Sequence, residues 1–218
     1  MPSVKIPRKS TDTDMTPFVD VAFLILSFFI MATKFKPQEP VPITTPGSVL
    51  SQPLPESNAV MITVDSSNRV FFTVLSEKDL GVYDQLIQGL NNSRGLNLTK
   101  EEMANFRKTY SVGVPFGGLK QLLSIPADEQ GKFNQPGIPV MDSANNELVW
   151  WIAESKKAFA GQRLQFLIKG DAQSKYPTFE AVVSALKRNE EFKYNLVTSL
   201  EDVPANSELD VANKKAKK

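Results

Sequence analysis

The sequence lacks both cysteine and histidine. Without cysteine the chain can form no disulfide framework and offers no thiolate nucleophile. Without histidine it loses the commonest general base and the commonest metal ligand, and with them the key parts of catalytic triads, zinc sites and 2-His-1-carboxylate iron sites. These absences predict a protein that is not an enzyme and that carries no cofactor and no metal.

A strong charge imbalance is absent as well. The 25 basic and 24 acidic residues leave a formal net charge of +1, whereas nucleic-acid-binding domains are usually basic. We therefore expect no nucleic-acid partner. The length of 218 residues leaves room for one globular domain plus accessory segments.

Long apolar runs are missing from the sequence except at one place near the N-terminus. The run MTPFVDVAFLILSFFIMAT, residues 15–33, carries a single formal charge, on Asp20. As a helix it would reach about 28 Å, close to the roughly 30 Å hydrocarbon core of a bilayer. A cleaved signal peptide would need a shorter, uncharged core and a small-x-small cleavage site, and neither is present. We predict a single transmembrane helix over residues 15–33.

Asp20 lies about 8 Å into this run, where an ionised side chain is costly. Thr16, Asp20 and Ser27 are spaced four and seven residues apart, so they share one stripe of the helix, within about 60°. Desolvation favours the neutral form of a carboxylate, which can then exchange a proton. We predict that these three residues form a proton-coupling site, with the proton as the coupling ion. The simpler alternative is a carboxylate that only reaches back to the nearer membrane surface.

The same residues carry a resemblance to a known family. TPFVDVAFLILSFFIMAT resembles the membrane segment of the ExbD/TolR family, with Thr16, Pro17, Asp20 and Thr33 on the family's pattern. The resemblance implies a proton-motive-force-coupled motor subunit of the cell inner membrane, which energises TonB-dependent outer-membrane transport. The implied partners are an ExbB-like polytopic subunit, a TonB-like protein and a second copy of this chain.

The resemblance also implies the topology. The arm of residues 1–14 would be cytoplasmic and the domain after the span periplasmic, whereas the lysines and arginines on the two sides of the span are too evenly matched to decide the orientation. Two other functions stay open. One is a TolR-like subunit that supports envelope integrity. The other is a membrane-anchored periplasmic binding protein with no motor, and a tethered hydrolase is disfavoured because histidine and cysteine are missing.

A proline-rich stretch follows the span. Residues 34–58 favour extended conformations, so we predict a semi-rigid linker. Within it, VPITTPGS resembles a short extended stretch of the family that can add as a strand to a partner or to itself. That resemblance implies a partner-binding role for Val41 and Ile43.

The remainder predicts a small two-layer α/β domain over residues 59–200, which we expect to fold without the span, and a flexible tail over 201–218. Alternating apolar residues predict a β-hairpin over 59–75, and a short strand, a helix and a second short strand near the end predict a βαβ unit. Ser76 with Asp79, and Thr99 with Glu102, resemble capping boxes that start helices. The predicted later elements are a helix over 143–160, a strand over 164–170, a helix over 177–188 and a strand over 193–199. Residues from about 91 to 147 resemble an insertion relative to compact members of the family.

Two pairs of residues could suggest further sites. Asp65 and Asp171 follow predicted strands, but neither has an adjacent base or metal-ligand cluster in the sequence, so we do not predict catalysis there. Trp150 and Trp151 are more typical of core and interface packing than of a binding site.

Overall fold

The computed structural model describes residues 15–32, 41–48, 54–55, 57–76, 79–127 and 129–200, without the side chain of Leu200. These residues belong to two compact units, Met1–Pro37 and Gln38–Lys218. The predicted arm of residues 1–14 and tail of residues 201–218 lie outside the described residues, as do residues 33–40, 49–53 and 56 of the predicted span and linker.

The described residues of the first unit form one helix. Helix α1 (Thr16–Ala32) forms where a helix was predicted, with Pro17 in the first turn, where its missing N–H breaks no helical hydrogen bond. None of its residues is buried. Among the residues that the structure describes, no helix is both long and apolar enough to cross a membrane. Insertion of residues 15–33 into a bilayer therefore stays a prediction.

The second unit is a mixed α/β domain, as predicted. Its strands are β1 (Gly47–Ser48), β2 (Ala59–Val64), β3 (Val70–Leu75), β4 (Gln165–Gly170), β5 (Asn195–Val197) and β6 (Ser199–Leu200). Its helices are α2 (Gly81–Arg94), α3 (Lys100–Phe106), α4 (Phe116–Ser124), α5 (Leu148–Ala158) and α6 (Tyr176–Arg188), with a 3₁₀ turn at Gln130–Lys132.

Four strands form the main sheet in the order β3-β2-β4-β5. Strands β2 and β3 pair antiparallel from Ala59 opposite Leu75 to Val64 opposite Val70, so the predicted hairpin is confirmed. Strands β4 and β5 pair parallel with α6 as their crossover, so the predicted βαβ unit is confirmed too. Strand β2 also pairs parallel with β4, which joins the hairpin to the βαβ unit in a single sheet.

The inner face of this sheet carries the main core. Alternate residues of the strands, such as Val60, Ile62 and Phe72, pack in one apolar cluster with residues from the helices. Residues 91–147, which resemble an insertion in the sequence, supply helices α3 and α4, and Phe106 and Leu119 from these helices lie in the same cluster. This segment is therefore part of the domain's core.

The outer face of the sheet is also buried, although alternation in the hairpin predicted more polar, exposed positions there. All six residues of β2 are buried. Phe71 of β3 is 1% exposed and Met61 of β2 is 7% exposed, and both point to the outer face. Other segments of the chain must therefore cover this face.

Three predicted boundaries are wrong. Helix α2 begins at Gly81 and not near Ser76, because the Asp79 carboxylate accepts the Gly81 N–H (2.9 Å) and the Ser76 hydroxyl donates to the Asp79 carbonyl (2.8 Å), so no capping box forms. Helix α5 spans Leu148–Ala158 rather than 143–160. Strand β5 ends at Val197, because Ser199 leaves the sheet to pair with β1.

The second predicted capping box is confirmed. The Thr99 hydroxyl accepts the Glu102 N–H (3.2 Å), and the Glu102 carboxylate accepts the Thr99 N–H (2.8 Å). Helix α6 begins one residue before the predicted start and ends at Arg188 as predicted.

Candidate functional site

The predicted proton-coupling residues all lie on α1. With about 100° of rotation per residue, Thr16, Asp20 and Ser27 fall within about 40° of one another on the helix surface. The Ser27 hydroxyl donates to the Leu24 carbonyl oxygen (2.9 Å), so only its lone pairs remain for another partner. The Asp20 side chain is exposed. The helix thus brings the three polar residues onto one stripe, and their role in coupling stays a prediction.

The predicted partner-binding residues, Val41 and Ile43, lie instead on the domain. They belong to residues 41–46, an extended segment that crosses the outer face of the sheet; we call these six residues the strap. Both side chains are half-buried. With Met61 and Phe71 they line a cavity of only about 10 Å³, which has room for about one water at most. The strap is therefore closely packed against the sheet.

Backbone hydrogen bonds hold the strap at its middle and at its end. The Thr44 N–H donates to Oδ2 of Asp171 (2.9 Å), and the Thr44 carbonyl accepts the Ala172 N–H (2.9 Å). The Pro46 carbonyl accepts the Ser199 N–H (3.0 Å), where β1 and β6 begin to pair in parallel. The strap is thus joined to two separate parts of the domain.

Asp171, considered in the sequence as a catalytic candidate, has both carboxylate oxygens in use. Oδ2 accepts the Thr44 N–H, and Oδ1 accepts the Gln173 N–H at 2.9 Å. The residue is 7% exposed. Its role in the structure is to fix the loop after β4 and the strap that crosses it.

Asp65 has an equally complete set of partners. It is fully buried, accepts the Arg69 backbone N–H (2.7 Å) through Oδ1, and binds the Arg69 guanidinium through Oδ2 (2.7 Å). Arg69 in turn donates to the Gln135 carbonyl (3.2 Å), and its guanidinium lies 5.6 Å from the centre of the Phe71 ring. Asp65 therefore orients Arg69 along the outer face.

Two stretches of the predicted insertion, residues 110–113 and 133–137, stand beside the strap; we call them the clamp. Tyr110 and Ser111 line the same small cavity as Val41 and Ile43. On the other side, Phe133, Asn134 and Gln135 line a second cavity of about 60 Å³ together with Val41, Arg69 and Phe71. Val41 thus lies between the two stretches of the clamp.

Of the two adjacent tryptophans, Trp151 is fully buried, as predicted for a residue that packs in the core. Its ring lies 4.9 Å from that of Phe72 and 5.9 Å from that of Phe116. Its indole N–H has no hydrogen-bond partner in the described part of the chain. Trp150 is 40% exposed and lies 4.9 Å beneath the Arg94 guanidinium. These contacts are those of packing.

Close to this aromatic group, Glu147 is half-buried and accepts the Phe116 N–H (2.7 Å). Burial raises the pKa of Glu147 above its ordinary value. The Phe116 hydrogen bond and the positive charge of Arg94 act in the opposite direction and lower the pKa. Within the described ranges, no group of three or more acidic side chains is placed to hold a metal ion.

A family model described as biopolymer transport protein ExbD/TolR matches residues 7–201 of the chain. No curated protein and no solved structure matches it. Because the match covers α1 and nearly the whole domain, the chain belongs to the ExbD/TolR family. Proteins of this family are anchored in the inner membrane, take part in biopolymer transport, and work in complexes with ExbB/TolQ-type and TonB/TolA-type partners.

Sequence reasoning identified the residues of the strap but not the surface that receives it. It placed Val41 and Ile43 in a linker and treated Asp171 and residues 91–147 separately. The available signal was Phe71 and Met61, two large apolar residues at hairpin positions that face away from the main core. Such residues need a cover.

Proposed function

We propose that the chain is an ExbD-like, proton-motive-force-coupled subunit that energises TonB-dependent outer-membrane transport. The observation that carries the proposal is Asp20, the one ionisable side chain in α1, on a stripe shared with Thr16 and Ser27. Membership of the ExbD/TolR family supports an energy-transducing role. The chain would act by moving, with no covalent chemistry of its own.

Membrane insertion of α1 is part of this proposal. The helix has 17 residues, which extend about 26 Å, and the full apolar run over 15–33 extends about 28 Å. Its large apolar side chains, including Phe18, Phe28 and Met31, are all more than half exposed. Lipid or a partner's apolar helices would remove this surface from water. The N-terminal arm would then be cytoplasmic and the domain periplasmic.

Asp20 would couple proton movement to motion through its two charge states. In apolar surroundings the neutral carboxyl is favoured, and next to water or a polar partner the ionised form is favoured. Each protonation change would alter which surface of an ExbB-like partner the stripe can contact. A unit charge moved through 100 mV yields about 2.3 kcal/mol, enough to bias such a step. Two copies of α1 within the partner's ring, and a TonB-like protein beyond the membrane, complete the proposed complex.

Substitution of Asp20 tests the proposal. Asp20→Asn keeps the size of the side chain and should preserve insertion and co-purification with the partner, but it should abolish proton-dependent uptake because an amide does not cycle between charged and neutral forms. Asp20→Glu should retain part of the uptake. Ile25→Val, on the opposite face of α1 from the stripe, is the matched control and should leave uptake near the wild-type level. Wild-type uptake by Asp20→Asn at equal protein level would favour an anchored binding protein with no motor.

A TolR-like role is the second candidate, because the family description covers both kinds of subunit. The two roles differ in the process that they restore. An ExbD-like chain should restore TonB-dependent uptake in cells that lack their own subunit. A TolR-like chain should instead restore resistance to detergents in cells with a defective envelope.

A further inference from the structure

We propose that a pocket beside helix α6 binds the tail of the same chain, residues 201–218, through Leu209 and Val211. We call it the α6 pocket. It lies at the ends of strands β4 and β5, next to the first turn of α6. The proposal assigns an occupant to a pocket that the proposed function does not use, and it does not depend on Asp20.

The α6 pocket has the size and the lining of a binding site. Its volume is about 310 Å³, within the range of about 300–1,000 Å³ that is usual for ligand pockets. Its walls are mainly apolar and include Ile168, Tyr176, Phe179, Leu196 and Val197. Tyr176 is 70% exposed and Leu196 is 58% exposed. Among the described residues, this apolar surface has no cover, and such a surface marks a place for a ligand or a partner segment.

The topology of the sheet explains why the pocket is open. Leu196 lies opposite Ile168 in the parallel register of β4 and β5, so both side chains point to the face of the sheet that α6 covers. Ile168 is 1% exposed and lies in the main core. Strand β5, however, is the last strand of the sheet. Helix α6 therefore covers β4 and leaves the neighbouring position on β5 open.

The mouth of the pocket favours a ligand that carries a carboxylate. Lys175 lines the pocket, and its ammonium group makes no ion pair within the described ranges. Helix α6 has neither a side-chain cap nor an acidic residue in its first turn, so the positive end of its dipole is not compensated there. Asp171 also lines the pocket, but both of its carboxylate oxygens accept backbone N–H groups. An apolar ligand with an adjacent acidic group fits these walls and this mouth.

The tail contains a segment of this chemistry. In its sequence SELDV, Leu209 and Val211 alternate with Glu208 and Asp210. Bound in an extended form, the segment would turn both apolar side chains to one side and both carboxylates to the other. Leu209 and Val211 would then enter the pocket, and a carboxylate at its mouth would meet Lys175.

The pocket also lies within reach of this segment. Thr198 lines the pocket, and Leu209 follows it by eleven residues in the sequence, which span up to about 36 Å when extended. A tether this short gives an effective concentration of about 1 mM, so even a weak contact would be mostly formed. The family match ends at residue 201. The pocket therefore belongs to the part of the chain that the family shares, whereas the proposed occupant lies beyond the match.

Thiol reactivity in the full-length protein in detergent micelles tests the proposal, because natural cysteine is absent. Thr198→Cys places a thiol in the pocket. With the native tail it should react with N-ethylmaleimide about tenfold more slowly than in a chain that also carries Leu209→Ser and Val211→Ser, because a Kd of about 0.1 mM leaves about a tenth of the pocket free at that effective concentration. Asn206→Ser with Asn213→Ser introduces the same number of serines, leaves the apolar pair intact, and should keep the slow rate.

Further variants control for the position of the thiol and for charge. Phe192 is 69% exposed and does not line the pocket, so a Phe192→Cys thiol should react at the same rate with either tail. Lys175→Gln should speed the reaction of the Thr198→Cys thiol severalfold, because it removes the partner of the carboxylate. Lys175→Arg keeps the positive charge and should restore the slow rate.

Two results would overturn the proposal. One is an equal rate at the Thr198→Cys thiol with the native tail and with the Leu209→Ser, Val211→Ser tail, which is the result expected if detergent fills the pocket in both. The other is protection that grows with protein concentration, because the tail of a second copy would then be the occupant. No step measures uptake, so these results are distinct from success or failure of the Asp20 variants.

Discussion

At the scale of single residues, the contacts of the two buried aspartates decide between chemistry and scaffolding. Asp65 and Asp171 follow the adjacent parallel strands β2 and β4, at the sheet edge where α/β proteins often bind ligands. Here every carboxylate oxygen already accepts a hydrogen bond, from Arg69 in one case and from Thr44 and Gln173 in the other. A carboxylate so occupied is a poor general base and a good anchor.

Two glycines provide a residue-scale prediction about the clamp. A Cβ on Gly113 would overlap the ring of Phe71, whereas a Cβ on Gly117 in α4 would meet nothing within 4 Å. Gly113→Ala should therefore lower the free energy of unfolding by about 1–3 kcal/mol. Gly117→Ala should raise it by about 0.5–1 kcal/mol, because alanine favours the helix. Denaturant unfolding of the two variants measures both, and equal effects of the same sign would contradict the packing described here.

Glu147 provides a prediction about pH. Burial raises the pKa of its carboxyl in the folded state, so the folded chain holds the proton to higher pH than the unfolded chain does. Stability should therefore fall as the pH rises from about 4.3, the unfolded value, through the raised pKa. Glu147→Gln should remove this part of the slope and still accept the Phe116 N–H.

Urea unfolding at a series of pH values rising from about 4.3, the ordinary value for a glutamate, measures the change in slope. Glu180→Gln, which removes an exposed carboxylate on α6, is the control for loss of a charge. A steeper decline in Glu147→Gln than in the wild type would contradict the direction of the shift.

At the scale of elements, local sequence signals predicted what depends on neighbours in the chain. Apolar alternation identified the β2–β3 hairpin, and the strand–helix–strand pattern identified β4, α6 and β5. The stripe of Thr16, Asp20 and Ser27 also depends only on helical spacing. These features need no knowledge of what lies across the molecule.

The strap could not be predicted in the same way. A proline-rich segment is extended whether it is free in solvent or docked on a sheet, so composition does not separate the two states. Docking depends on Phe71, on Asp171 and on the clamp, which are distant in sequence from Val41. The start of α2 was misplaced for a related reason, because the Asp79 side chain binds the Gly81 N–H directly and so replaces the expected capping box.

Helix α3 provides an element-scale prediction. Its reciprocal capping box joins Thr99 and Glu102, and loss of an N-cap hydroxyl typically costs about 1 kcal/mol. Thr99→Ala should therefore lower the free energy of unfolding by about that amount. Thr99→Ser keeps the hydroxyl and should stay close to the wild type in the same denaturation experiment. Similar losses in both variants would show that the hydroxyl is not what stabilises the start of α3.

At the scale of the whole molecule, the boundary of the folded domain lies before the strap. The second compact unit begins at Gln38, and the strap covers part of the outer face of the sheet. Residues 38–218 and residues 59–218 should both unfold cooperatively, but the shorter chain should be less stable by roughly 2 kcal/mol, from the half-buried Val41 and Ile43. Thermal and urea unfolding of the two fragments measures the difference. Equal stability would mean that the strap contributes nothing to the fold.

The position of the strap in the chain also determines the order in which contacts bear tension. A polypeptide pulled from the side of α1 transmits force along its backbone, so the load reaches Val41 first, then Ile43, and then the Thr44–Asp171 hydrogen bond. The paired strands β1 and β6 come next, because Gly47 follows the strap directly. Each of these contacts must break before the pull reaches the central strands. The main core is therefore mechanically shielded by the segment that the sequence shows as a linker.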